Sequence, residues 1–163
     1  LSDTDSARQD YLALRDRVNS AQLATLGCDA TPEASYAPCV WRDGHCFVFL
    51  SELASHTQNI KLNPSISLML IEAETAAGNA FARKRISLFG SAGIVARSDD
   101  IYKTVINDFY RRFGDVMKLI EPLADFHLFR IIVQRGRFIR GFGQAYELAG
   151  DRLEQLNHID PGK

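Results

Sequence analysis

The sequence predicts a mainly β domain of the α+β class: an antiparallel barrel of six to seven strands with helices at its periphery. Three observations carry that expectation. Short apolar segments bounded by turn chemistry fill most of the chain; a single longer amphipathic helix is inserted late among them; and glycines interrupt the longest strand-like stretches, residues 81–97 (FARKRISLFGSAGIVAR) and residues 136–148 (GRFIRGFGQAYEL). A strand interior avoids Gly, which adds backbone entropy and packs nothing, so Gly90, Gly93, Gly141 and Gly143 mark bends, bulges or close approach by a ligand. Curvature of that kind closes a small barrel and leaves room for a flat cofactor.

The elements follow in order. Ala7, Tyr11, Leu14 and Val18 recur at helical spacing, with charges opposite, and predict a helix ending near Asn19. From Ala21 the period shortens: AQLATLGC, the DATPE turn, ASYAPCVWR, then Asp43-Gly44 and HCFVFLS. Asp-Gly between two such runs signals a hairpin, because both residues tolerate positive φ. Ser55 is a candidate cap for a short helix, HTQNIKL, which Asn63 and Pro64 end. SISLMLIEA reads as a buried strand, and a small-residue connection leads into the 81–97 strand. Ser98, followed by Asp99 and Asp100, is the expected start of the longer helix, whose apolar face runs through Ile101, Val105, Ile106, Phe109 and Phe113 to a stop at Gly114. VMKLIEPL predicts a short helix. Two last strands, DFHLFRIIVQ and GRFIRGFGQAYEL, are expected to join at Arg135-Gly136, and the end reads as a polar turn, with room for one helical turn, and a tail. The organisation expected is an N-terminal helix (1–20), a barrel domain (21–150) and a C-terminal tail (151–163).

Composition narrows the function classes. At 163 residues and 46% hydrophobic content the chain is long enough to bury one core. A net charge of −1 gives no global footprint for nucleic acid. No apolar run approaches the roughly 18 residues of a membrane span, and the first residues lack the cationic and apolar regions of a signal peptide. The expectation is a cytoplasmic protein with neither nucleic-acid nor membrane partners. Cys28, Cys39 and Cys46 form an odd set without CxxC spacing, which predicts reduced, packed thiols rather than disulfides or a zinc knuckle.

Familiar catalytic constellations are missing from the pattern. Asp99 and Asp100 are consecutive and point apart, Ser55-His56 alone does not make a triad, and the P-loop and HExxH motifs are absent. The GFG at Gly141–Gly143 lacks the third glycine and following helix of a dinucleotide fingerprint.

With these segments laid out, SYAP, the run FVFLSELASHTQNIKLNPSISLMLIE and FARKRISLFGSA resemble the FMN-binding split β-barrel of the pyridoxamine 5′-phosphate oxidase superfamily. FARKR, ADFHLFRI and GRFIRGFGQAYEL are similar, more narrowly, to its haem-utilisation branch, the HutZ/HugZ-like proteins. The resemblance covers Ala21 to the C-terminus. It implies a split barrel, a homodimer with ligands in grooves between subunits, and haem as the ligand, opened oxidatively with an external electron donor for iron acquisition; the alternatives are an FMN-dependent oxidoreductase and a haem store or carrier without turnover.

That resemblance also implies site residues. Flavin-binding relatives hold the FMN phosphate with Arg and Lys at the end of the third strand and the start of the next helix. Here residues 51–58 offer hydroxyls such as Ser51, a helix N-terminus and His56, but no permanent cation, so the phosphate loses its charge-assisted bonds. Arg83, Lys84 and Arg85 could reach a phosphate or pair with haem propionates; on a strand, neighbours alternate faces, so one of them is expected to be a solvated or interface charge. Haem relatives ligate iron with a histidine of the C-terminal tail, which places His158, or a histidine a few residues beyond it, on the metal. Asp125 matches the carboxylate that hydrogen-bonds the ligand imidazole in that branch. Tyr146 is the candidate for lining the groove. Blander roles stand beside these: His158 as a solvated tail residue, Asp125 as a strand opener, His56 as an unliganded helix-start residue, His127 and His45 as rim or exposed side chains, Trp41 and Tyr36 as core or dimer contacts.

Overall fold

The computed structural model describes residues 2–159. Six strands form the barrel: β1 (Ser20–Leu26), β2 (Pro32–Arg42), β3 (His45–Ser51), β4 (Ser65–Ile71), β5 (Arg85–Val95) and β6 (Phe126–Gly141). They lie in the order β3-β2-β1-β4-β5-β6, every neighbour antiparallel, and a β3–β6 ladder closes the circle. Two further strands, β7 (Gln144–Ala149) and β8 (Gln155–His158), extend the sheet from β6. Four helices surround it: α1 (Asp3–Arg17), α2 (Ser55–Leu62), α3 (Asp100–Phe113) and α4 (Val116–Ile120).

The expected architecture is therefore the observed one, with differences at four joints. The first is Arg135-Gly136, which does not turn. β6 is one 16-residue strand whose first half pairs with β3 and whose second half pairs with β7. A Cβ on Gly136 would stand 2.5 Å from the Leu88 side chain and 2.9 Å from that of Leu148, so this glycine serves close packing across the sheet. The turn lies instead at Phe142-Gly143, between β6 and β7. Gly90 behaves as expected of a bulge. The β5–β6 register shifts between Phe89 and Gly90, and a Cβ there would fall 2.3 Å from the Ile132 carbonyl oxygen.

The second joint is the segment before β5. Residues Ala80–Ala82 form a 3₁₀ turn rather than strand, because the Asn79 side chain accepts the Phe81 amide and the Arg83 guanidinium grips the Glu72 carbonyl. Third, the tail contributes β8 where a helical turn was expected; Leu156 packs into the core and pairs with Leu148. Fourth, two helix starts shift by one residue. Asp99, not Ser98, is the N-cap of α3, and its carboxylate accepts the Ala96 amide. Ala54 caps α2, while Ser55 donates to Glu33 and staples the helix to β2. The Asp43-Gly44 hairpin forms with φ of 51° and 80°.

Two apolar cores hold these parts. Inside the barrel, Leu23, Leu68, Leu70, Ile86, Leu88, Phe129 and Phe138 are buried together and are covered by Ala7, Tyr11 and Leu14 of α1. Outside it, Val105, Ile106 and Phe109 of α3 and Met117 of α4 pack on Val40, Phe47 and Phe49. Burying each such Leu, Ile or Phe contributes about 1.5–3 kcal/mol. Cys39 and Cys46 are buried free thiols as expected, whereas Cys28 is exposed. Among the described residues no helix is long and apolar enough to cross a membrane.

Candidate functional site

The residues singled out in the sequence fall into three places. At the end of β3, Ser51 Oγ donates to Asp125 Oδ2 at 2.8 Å, and the Glu52 amide donates to the Asp125 carbonyl at 2.8 Å. Asp125 precedes β6, whose last rung with β3 pairs Ser51 with Phe126, so the ladder itself brings residues 51 and 125 together. Beside them Glu52 meets His127 Nε2 at 2.7 Å and the Lys61 ammonium. Those two partners, Lys61 first, pull the Glu52 carboxyl below its usual range. Leu53 and Leu123, the apolar residues flanking this pair in sequence, are 92% and 44% exposed.

The second place is where α2 crosses β1 and β2. His56 Nδ1 lies 3.0 Å from Ser35 Oγ, and burial lowers the imidazole's proton affinity, with Glu33 opposing. Glu33 takes hydrogen bonds from Ser55 and from Asn59 Nδ2 at 3.0 Å, which depress its carboxyl further than burial raises it. The start of α2 thus meets the Glu33 carboxylate through Ser55. Lys61, the basic residue of α2, lies in its last turn and is engaged with Glu52.

The third place lies at the far end of the barrel. Arg83 is held by the Glu72 carbonyl and by Glu74, and Lys84 pairs with Asp10 at 3.3 Å. Arg85 donates to the Arg83 carbonyl at 3.2 Å and forms no ion pair among the described residues. Tyr146 is 1% exposed; its ring stacks on Phe138 and its hydroxyl donates to Asp3 at 3.2 Å, while burial and that carboxylate raise its pKa. His158, on β8, is exposed and sits edge-on to the Tyr146 ring at 5.2 Å. Pairing along β8, β7, β6 and β5 sets His158 beside Tyr146, Tyr146 beside Phe138 and Phe138 beside Ile86.

The first and third places stand at opposite ends of one ladder. Arg85 pairs with Ile139 at one end of β5–β6 and Val95 with Leu128 at the other. Ten residue steps at about 3.3 Å each separate them by up to roughly 33 Å. Within one chain, Asp125 does not reach His158. The outer face of β1, β2 and β4 between them is a shallow groove of about 550 Å³ lined by Gln22, Ala24, Ala34, Tyr36, Ser67 and Met69, without a charged side chain.

Sequence reasoning missed Glu52, His127, Lys61 and Glu33 as a group. Their only local signal was proximity to Ser51 and His56, since the contacts span 9 to 75 positions.

The family described as Pyridoxamine 5′-phosphate oxidase matches residues 7–140, which takes in all six barrel strands to within one residue. The chain belongs to this family. Among its members it is 39% identical over 148 residues to the Heme oxygenase HutZ of Vibrio cholerae serotype O1, spanning 91% of this chain and 84% of that protein. A crystal structure of HutZ, described as the heme storage protein from Vibrio cholerae, superposes with a TM-score of 0.74 at 36% identity, over 77% of this chain and 89% of that one. Campylobacter jejuni ChuZ superposes with a TM-score of 0.88 at 29% identity, over all of this chain and 68% of that one. The family member described here thus has the split barrel and stands in the HutZ branch.

Proposed function

We propose that this protein binds haem as its substrate and opens the porphyrin oxidatively, with O₂ and an external reductant, to release iron. The observation that carries haem over FMN is the corner at the start of α2. A flavin phosphate lodged there would meet the Glu33 carboxylate bonded to Ser55, and Lys61, the basic residue of α2, is already paired with Glu52. A dianion placed against a carboxylate is repelled, and helix amides alone do not offset that. The resemblance of the chain to HutZ, a protein named as a haem oxygenase, supports the same choice.

The site is assembled between two copies of the chain. Asp125 lies at one end of the barrel and His158 at the other, so a carboxylate that steadies the iron ligand must come from a second subunit. The groove on the outer face of β1, β2 and β4 has no charged side chain in its lining, which supports packing of such a copy there. Haem supplies the redox-active iron and the ring that is oxidised. The protein's residues hold it: the imidazole of His158 ligates the iron; Asp125 accepts its N–H; Arg85 pairs with a propionate; Leu53 and Leu123 give the porphyrin an apolar border. Arg83 and Lys84, both occupied within the chain, shape the backbone around Arg85 instead.

Absorbance titrations with haemin and with FMN test the proposal, followed by ascorbate and oxygen on the haem complex. Saturable haem binding, then bleaching with iron release, is the expected result. A haem spectrum stable to ascorbate and oxygen makes the protein a haem store, the role named for one HutZ structure. Stoichiometric FMN binding without a specific haem complex overturns the choice of ligand.

A further inference from the structure

Ser51 is hydrogen-bonded to Asp125 within the same subunit. Its Oγ donates to Asp125 Oδ2 at 2.8 Å and accepts the Leu53 amide at 3.1 Å. A hydroxyl has one proton to give; with an N–H already on its lone pair, that proton goes to the carboxylate. The serine's backbone is tied on two sides. It ends β3, it is paired with Phe126, and its carbonyl accepts the Thr57 hydroxyl at 2.7 Å. The Asp125 backbone is tied to the same turn by the Glu52 amide. Oδ2 is therefore committed, and Oδ1 accepts no hydrogen bond among the described residues.

We propose that Ser51 is a positioning residue for the haem site: by holding Oδ2 it locks the Asp125 carboxylate in one orientation and reserves Oδ1 for the N–H of the iron-ligating imidazole. This rests on the reading of Asp125 as the partner of that imidazole. Without the serine, the carboxylate rotates about a terminal bond with a broad torsional preference and offers either oxygen. The ligand imidazole then loses a fixed acceptor, and the iron–nitrogen bond becomes weaker and less uniform. The Thr57 hydroxyl bonds the Ser51 carbonyl, so the substitution Ser51→Ala removes the hydroxyl, and with it the acceptor of the Leu53 amide, while the Thr57 tether stays.

Resonance Raman spectra of the ferrous haem complex read the iron–histidine stretch directly, without reference to turnover. Asp125→Asn should shift that band to lower frequency. Ser51→Ala should shift or broaden it in the same direction by less, and speed haem loss to apomyoglobin about 3- to 10-fold, below the 10- to 100-fold range of losing an outer-shell partner outright. Ser51→Thr, which keeps the hydroxyl, should restore both. A band that moves in Asp125→Asn but is unchanged in Ser51→Ala overturns the role of Ser51. A band unmoved in Asp125→Asn overturns the placement of Asp125 itself, and the role of Ser51 falls with it.

Discussion

Arg85 is the charge in the FARKR run that the fold leaves available. Arg83 spends three hydrogen bonds on Glu72 and Glu74, and Lys84 is paired with Asp10. A charge-assisted bond is worth about 1.5–3 kcal/mol, so Arg85→Ala should weaken haemin binding about 10- to 100-fold, while Arg83→Ala should chiefly lower stability. Absorbance titration and urea unfolding of both variants separate the two effects. The alternation rule expected one of the three cations to be a solvated or interface charge, but its premise failed. Arg83 and Lys84 precede the strand, and what divides the cations is the partners brought to them by the middle of α1 and by the residues that follow β4. Tyr146 shows the same limit. Its place beside a glycine bend was legible, but its burial against Phe138 depends on α1 closing over the barrel, and nothing within a few residues of position 146 encodes that.

Elements carry the next set of consequences. Gly90 sits where the β5–β6 register slips, with the Ile132 carbonyl where a side chain would begin. Gly90→Ala forces backbone apart and should cost about 1–3 kcal/mol, seen as a lower urea midpoint at unchanged slope. The junction of α2 with β2 is pH-sensitive. Burial lowers the proton affinity of His56, and bonds from Ser55 and Asn59 lower that of Glu33. As pH falls through about 6.5 and then about 4.3, the unfolded chain takes up these protons before the folded one does. The stability these groups confer is therefore present above those values and is lost as pH falls through the depressed folded values. Denaturation midpoints should decline from about pH 7.5 to about pH 5, and His56→Gln should flatten that upper part of the profile. Element boundaries were legible wherever local chemistry decides them, as at Asp43-Gly44 and Gly114. They were misplaced at Arg135-Gly136, where the glycine answers to Leu88 and Leu148 across the sheet rather than to its own turn.

At the scale of the whole molecule, the proposed site, with Asp125 and His158 at opposite barrel ends, makes a strong demand on assembly. Light scattering should give twice the mass of the chain. Homodimers of Asp125→Ala and of His158→Ala should each bind haemin weakly, and dimers exchanged from a mixture of the two should regain up to one intact site per mixed dimer, read as recovered absorbance. No recovery removes His158 from the iron or Asp125 from its imidazole.

The sequence by itself determined the class of fold, the succession of its elements as far as α4, and the family, because hydrophobic period, turn residues and short motifs are properties of neighbouring positions. Only the tertiary structure decided where β6 ends, which cation stays available, that residues 155–158 add a strand, that Glu33 meets the start of α2, and that Ser51 holds Asp125. Each of those rests on pairs far apart in the chain. Their proximity is set by barrel closure and by the packing of α1 and α2, which minimise exposed apolar area over the molecule as a whole and leave no mark on any single segment.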